Sequence, residues 1–188
     1  MSYNCGSVAA NATPLWDPHC KRRTGPLSLL SRHGSGKVRA MYVAENKRLT
    51  HAGAKQMMTT AIGAAREAGI AVTVAITDSG GHLIVLERMD GGRFHTVHSA
   101  TTKAVCAASN KRPTSAKGAQ AQPLDTAHAL GLALAAGAER WTAMEGGFPV
   151  IVAGECIGGI GVAGGDWETD ERIARAAVES IGASWRMD

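Results

Sequence analysis

The stretch 146–165, GGFPVIVAGECIGGIGVAGG, restricts the fold more than any other part of the chain. Two apolar runs, 148–153 and 156–162, flank a break at Gly154 and Glu155. Val, Ile and Phe suit a pleated, buried surface, and a two-residue break between such runs reads as a hairpin. Neither run alternates cleanly. Val150 and Val152 would face one side while Ile151 and Ala153 face the other, so both faces of the sheet demand cover. The glycines at 158, 159, 161, 164 and 165 weaken a strand unless a bulge, a close helix or a ligand needs the room. Close packing is the simplest of these accounts. The hairpin is therefore expected to form the core.

With 188 residues the chain is long enough to bury one substantial core. Only 4% of residues are aromatic, so that core must be built from Ala, Val, Ile and Leu. No run approaches the roughly 20 apolar residues of a membrane helix. The beginning of the sequence lacks the continuous apolar segment of a signal peptide. Cys5, Cys20, Cys106 and Cys156 form no CxxC pair and no evident disulfide framework. A cytoplasmic location is the expectation.

The net charge of +4 is unevenly placed. Residues 1–40 hold six Lys/Arg against the single Asp17, whereas 41–188 hold fourteen against fifteen acidic residues. Without a general basic field, neither nucleic acid nor membrane is an expected partner. Residues 1–40 are rich in Ser, Gly, Pro, Asn and Arg and show no periodicity. They read as a disordered or extended leader before a domain at 41–188, which opens with a second methionine, Met41.

The pattern predicts a helix over 51–68 with Thr50 as N-cap and Gly69 as stop. A strand follows at 70–77, a turn at 78–81 and a partner strand at 82–87. A second helix spans 96–109, a third Ala/Leu helix runs from 123 or 124 to 136, and a short strand covers 141–144. The last helix covers 168–181. This order describes an α+β domain with an antiparallel sheet. Four helices do not easily cover so apolar a sheet. They are expected on one face, with the other face in contacts of an even-numbered homo-oligomer.

Several groupings could carry chemistry. His95 and His98 stand three apart at the opening of a helix and could begin a divalent metal site, completed by Asp78, Glu87 or Asp90. In an enzyme, His95, His98 or Glu87 would move protons. Lys103, Lys111, Arg112 and Thr114 could form an anion site for the carboxylates of a ligand. The bland account of those cations is their favourable position near a helix C-terminus. The glycine run leading into the last helix lacks the lysine of a phosphate loop, and Asp166, Glu168, Asp170 and Glu171 put negative charge there, which argues against nucleotide binding. Cys106 falls at a buried helical position, where thiols are usually inert.

Taken together, AxTDSGGHLIVLERMDG at 75–91 (x is Ile76), SATTKAVCAASNKRPTS at 99–115, the glycine-rich hairpin and DxxIARAA at 170–177 resemble the GlcG/HbpS family, also called the haem-degrading or DUF336 family. The resemblance spans about 49–181. It implies a profilin-like α+β module that often assembles into higher homo-oligomers. One branch of the family binds haem or related tetrapyrroles, while others accompany catabolism of small molecules. In the haem-binding branch a threonine contacts the iron side, and Thr114 is the matching residue here, with Lys103, Lys111 and Arg112 placed to meet propionates. Two readings follow. The first is a cytoplasmic small-molecule binding protein with haem or another tetrapyrrole as ligand. The second is an accessory catabolic enzyme (isomerase, tautomerase or hydrolytic) acting on a small carboxylated or aromatic-derived substrate.

Overall fold

The computed structural model describes residues 42–187, so the expected leader lies outside the described residues. All regular elements belong to the compact unit Glu45–Asp188. In chain order they are α1 (His51–Glu67), β1 (Thr73–Asp78), β2 (Leu83–Arg88), α2 (Thr96–Asn110), α3 (Thr126–Ala136), β3 (Gly147–Val152), β4 (Glu155–Ala163) and α4 (Trp167–Glu179). The strands form one antiparallel sheet in the order β2-β1-β4-β3. This is the α+β architecture the sequence predicts.

The glycine-rich hairpin is β3–β4. Val152 pairs with Glu155, and Ala153 and Gly154 between them have φ of 50° and 74°. Two left-handed residues in succession are what a two-residue hairpin turn requires, because only that twist matches the flanking strands. α1 starts where expected, with the Thr50 side chain accepting a hydrogen bond from the Gly53 N–H at 3.1 Å. Asp166 does the same for α4, accepting from the Thr169 N–H at 2.7 Å. The short strand expected at 141–144 does not form, and this segment is irregular chain.

One face of the sheet carries Val74, Ile76, Phe148, Val150, Ile160 and Val162. Against it pack the stripe Ala54, Met57, Met58, Ala61, Ile62 and Ala65 of α1, and Ile173, Ala174, Ala177 and Val178 of α4. Each fully buried Ile, Val or Phe here contributes about 1.5–3 kcal/mol.

The opposite face corrects the expectation that it awaits another protomer: α2 covers it. The register puts Thr73, Ala75 and Thr77 of β1 beside Ala163, Gly161 and Gly159 of β4, with Gly147 of β3 beside Gly161. These small residues let the helix backbone approach the strands. A Cβ on Gly159 would overlap the Ala104 carbonyl oxygen, one on Gly161 the Ala100 carbonyl oxygen, and one on Gly147 would lie 2.6 Å from that of Lys103. Ala75, Ala100 and Ala104 fill what space is left. A polar link, Thr73 Oγ1 to Thr96 Oγ1 at 2.7 Å, joins strand to helix.

Lys103 departs most from its expected role as a ligand cation. Its ammonium is buried, donating to the Val162 carbonyl at 2.7 Å and to Asp170 Oδ2 at 3.0 Å. Asp170 Oδ1 in turn accepts from the Gly165 N–H at 3.0 Å. The lysine leaves α2 on one face and meets α4 from the other, passing bare Gly146, where a Cβ would stand 3.0 Å from Nζ. Its charge is neutralised inside the protein.

Three stability predictions follow from this packing. Gly161→Ala should cost about 3 kcal/mol or more, because neither backbone can yield. Gly63→Ala, in α1 with nothing within 4 Å of its Cβ, should gain about 0.5–1 kcal/mol. Lys103→Met should cost about 3–5 kcal/mol by stranding a buried carboxylate, and Lys103→Met/Asp170→Asn should recover part of it, since Asn keeps an acceptor for Gly165. Urea unfolding of the purified variants measures all of these.

Candidate functional site

The β1–β2 turn is built by one carboxylate. Asp78 Oδ1 accepts hydrogen bonds from the N–H groups of Gly80 at 2.8 Å and His82 at 2.9 Å. Gly81, with φ of 83°, supplies the left-handed residue that closes the turn, and its Cα side rests on Val105 of α2. The ring of His82 folds back on the same carboxylate, with Nδ1 3.1–3.2 Å from both oxygens. An ionised carboxylate only accepts, so the proton between them sits on Nδ1, and Nε2 of a ring in this tautomer is turned away from Asp78. Burial works to raise the Asp78 pKa. The bonds from the His82 N–H and ring and the Gly80 N–H outweigh it and hold the carboxyl below the usual carboxylate range. The His82 side chain is 83% exposed.

This turn forms one wall of a cleft of about 790 Å³. Thr101, Val105, Ser109 and Asn110 on the outer side of α2 form its floor, and Ala136, Glu139, Arg140 and Trp141 form the far wall. The volume lies within the roughly 300–1,000 Å³ of small-molecule sites. A half-buried indole offers a face for a flat ligand, Arg140 offers a planar fork for a carboxylate, and His82 offers a nitrogen lone pair. An imidazole whose other nitrogen is held by a carboxylate has the arrangement commonly found around bound metals.

The residues singled out from the sequence lie elsewhere. His95 and His98 are exposed at the N-terminal end of α2, where Phe94 meets the His95 ring edge-on at 5.8 Å. α2 has 15 residues, about 22 Å, and Lys111, Arg112 and Thr114 lie beyond its other end. Glu87 pairs with Val74, and so points to the α1 side of the sheet, where it lines a shallow hollow with Arg66. The fold therefore does not bring Glu87 to His95 and His98. Among the described residues no group of three His, Cys, Asp or Glu is placed to hold a metal ion, so His95 and His98 have no third ligand there.

Thr114 is buried, and it clamps the start of β3. Its N–H donates to the Gly147 carbonyl at 2.9 Å, and its Oγ1 accepts from the Gly147 N–H at 2.9 Å. Arg112 donates to the Gly118 carbonyl. Lys111 is exposed at the left-handed C-cap of α2, next to the cleft residues Ser109 and Asn110. Cys106 is buried, burial pushes its thiol pKa up, and its Sγ donates to the Thr142 carbonyl at 3.6 Å. Such a buried, neutral thiol is in the setting where cysteines are usually inert. Reading 78–81 only as a turn missed His82; the spacing Asp78-x-x-x-His82 around two glycines was the available signal.

The sign of a pH effect follows from the depressed Asp78 pKa. Its stabilisation is complete above the ordinary carboxylate range and is lost as pH falls through the folded-state value. Asp78→Asn should lower the urea midpoint at pH 7 and narrow its gap from wild type as the acid range is entered. A gap that stays constant down to pH 3 would contradict the pairing.

A model of the haem-degrading HbpS-like family matches residues 49–179. An uncharacterised 15.0 kDa protein of Citrobacter freundii, from the dhaT-dhaS intergenic region, is 30% identical over 131 residues, 70% of this chain and 90% of its own. The crystal structure of Klebsiella pneumoniae protein ORFY is similar with a TM-score of 0.65 at 30% identity, covering 75% of this chain and 96% of that one. A PduOC–haem complex is similar with a TM-score of 0.64 at 25% identity, covering 74% and 99%. The matched span holds the sheet, all four helices and both walls of the cleft, and the chain belongs to the haem-degrading HbpS-like family.

Proposed function

We propose that this protein is a cytoplasmic, homo-oligomeric small-molecule binding protein, and that its ligand is haem or another tetrapyrrole held in the cleft between the Asp78–His82 turn and Trp141. The observation that carries this reading is His82, its ring held through Nδ1 by Asp78 at the rim of a cleft of about 790 Å³. Family membership and the similarity to a haem complex support it. His82 would supply a nitrogen to the iron, Trp141 a flat face for the ring system, and Arg140 with Lys111 cations for its carboxylates. An exposed histidine ligand suits exchange or delivery of the ligand better than electron transfer, which favours enclosed metal centres. Thr114, held by Gly147, contributes by anchoring β3. Among the described residues no helix is long and apolar enough to cross a membrane.

The same pair supports a second reading. A His–Asp dyad beside an arginine is the minimum needed to move a proton on a bound carboxylic acid, with Arg140 as anchor and His82 as base. This is the accessory-enzyme alternative with its base at His82, since Glu87 lies on the α1 side of the sheet, away from His95 and His98 at the start of α2.

Hemin titration separates the two. Wild type should show a saturable Soret shift, His82→Ala should weaken binding at least tenfold, and Arg140→Ala should weaken it severalfold. Thr114→Val should lower thermal stability more than it changes affinity. Absence of a Soret shift in wild type overturns the tetrapyrrole reading and leaves the enzyme reading.

A further inference from the structure

The far wall of the cleft is made by the turn that leaves α3, a helix none of whose 11 residues is buried. Gly137, with φ of 97°, ends the helix, and its carbonyl accepts from the Arg140 N–H at 2.9 Å. The turn presents two neighbours of opposite charge, Glu139 and Arg140, to the same cavity. Apart from His82 they are the charged residues of the lining, and neither enters an ion pair among the described residues. Across the cleft, Asp78 stands behind the His82 ring as a second carboxylate. Two negative charges thus flank a site lined by one guanidinium. Lys111 adjoins the floor at Asn110 but is not part of the lining.

This balance decides what kind of acid fits. Arg140 can take one carboxylate on its planar fork. A second carboxylate within the walls would find no cation there. It would face Glu139 or Asp78, and would exchange water for the neutral Thr101, Ser109 and Asn110. Such groups hydrogen-bond an anion without cancelling its charge. Like charges set against each other reject a wrong ligand as surely as good contacts select a right one.

We infer that Glu139 is a specificity-determining residue of the cleft. It limits the site to ligands that bring one carboxylate inside, the one held by Arg140, and it turns any second carboxylate outward to solvent. A dicarboxylic acid too short to reach out of the cleft is thereby disfavoured. This rests on the proposed function for the cleft as the ligand site. It applies equally to a tetrapyrrole with one acidic side group inside and to the small carboxylated substrate of the second reading.

The test uses full-length wild type, Glu139→Gln and Arg140→Gln, all changed at exposed positions. The probes are naphthalene-2-carboxylate and naphthalene-2,6-dicarboxylate, flat acids short enough for both groups to lie within the cleft. Binding is read from the indole N–H resonance that Trp141→Phe removes. Wild type should bind the monocarboxylate in the millimolar range, as expected for a ligand of this size. It should bind the dicarboxylate about threefold more weakly, and that difference should shrink in about 0.5 M salt. Glu139→Gln should raise the affinity for the dicarboxylate about threefold relative to that for the monocarboxylate, whereas Arg140→Gln should weaken both. A dicarboxylate bound as tightly as the monocarboxylate, a ratio unmoved by Glu139→Gln, or no binding of either acid would overturn the inference. Hemin is titrated in parallel; absence of a Soret shift with the naphthalene results intact would overturn the tetrapyrrole reading alone.

Discussion

The contact between α2 and the bare backbone of β3 and β4 governs the rest of this structure. With Gly147, Gly159 and Gly161 opposite the carbonyls of Lys103, Ala104 and Ala100, there is no layer of side chains between helix and sheet on that face. Small residues are favoured along the inner side of α2, which accounts for Thr96, Ala100, Ala104, Ala107 and Ala108. The short separation also lets Lys103 reach the opposite layer and pair with Asp170. A normal interlayer distance of about 10 Å would put that partner out of range.

This contact also explains what the sequence did and did not disclose. The hairpin, the sheet class and the four described helices were legible: side-chain caps mark the starts of α1, α3 and α4, and Pro113 limits the span of α2. The second face was not. An oily strand pair with glycines signals that something comes close, but a helix of the same chain and a neighbouring subunit leave the same imprint on the strands. The amphipathic pattern of α2 is weak because its buried side is alanine and threonine rather than leucine. Lys103 misled for the same reason: a lysine on such a helix looks solvated until the gap at Gly146 gives it a route inward.

The candidate site was half legible. Asp78 and the glycines after it announced a turn, and turn chemistry alone explains their presence. What converts the turn into a site is tertiary: Gly81 seats it on Val105, and the chain after α3 returns Arg140 and Trp141 to face it. Those two residues are separated from His82 by almost sixty positions, so no local pattern could join them. Conversely, His95 and His98 share a helical turn and looked coupled, yet the fold brings them no third partner among the described residues.

The glycine seam has a mechanical consequence for anything held above it. A helix pressed onto naked strands cannot rock or slide without steric collision, so the floor of the cleft is stiff. The facing wall hangs on the irregular chain between Lys111 and Gly146, which includes the unsupported α3. Adjustment to guests of different size therefore falls to one side only, like a vice with a fixed jaw and a travelling one. Relatives that share the seam can differ in what they accept by altering the travelling jaw alone.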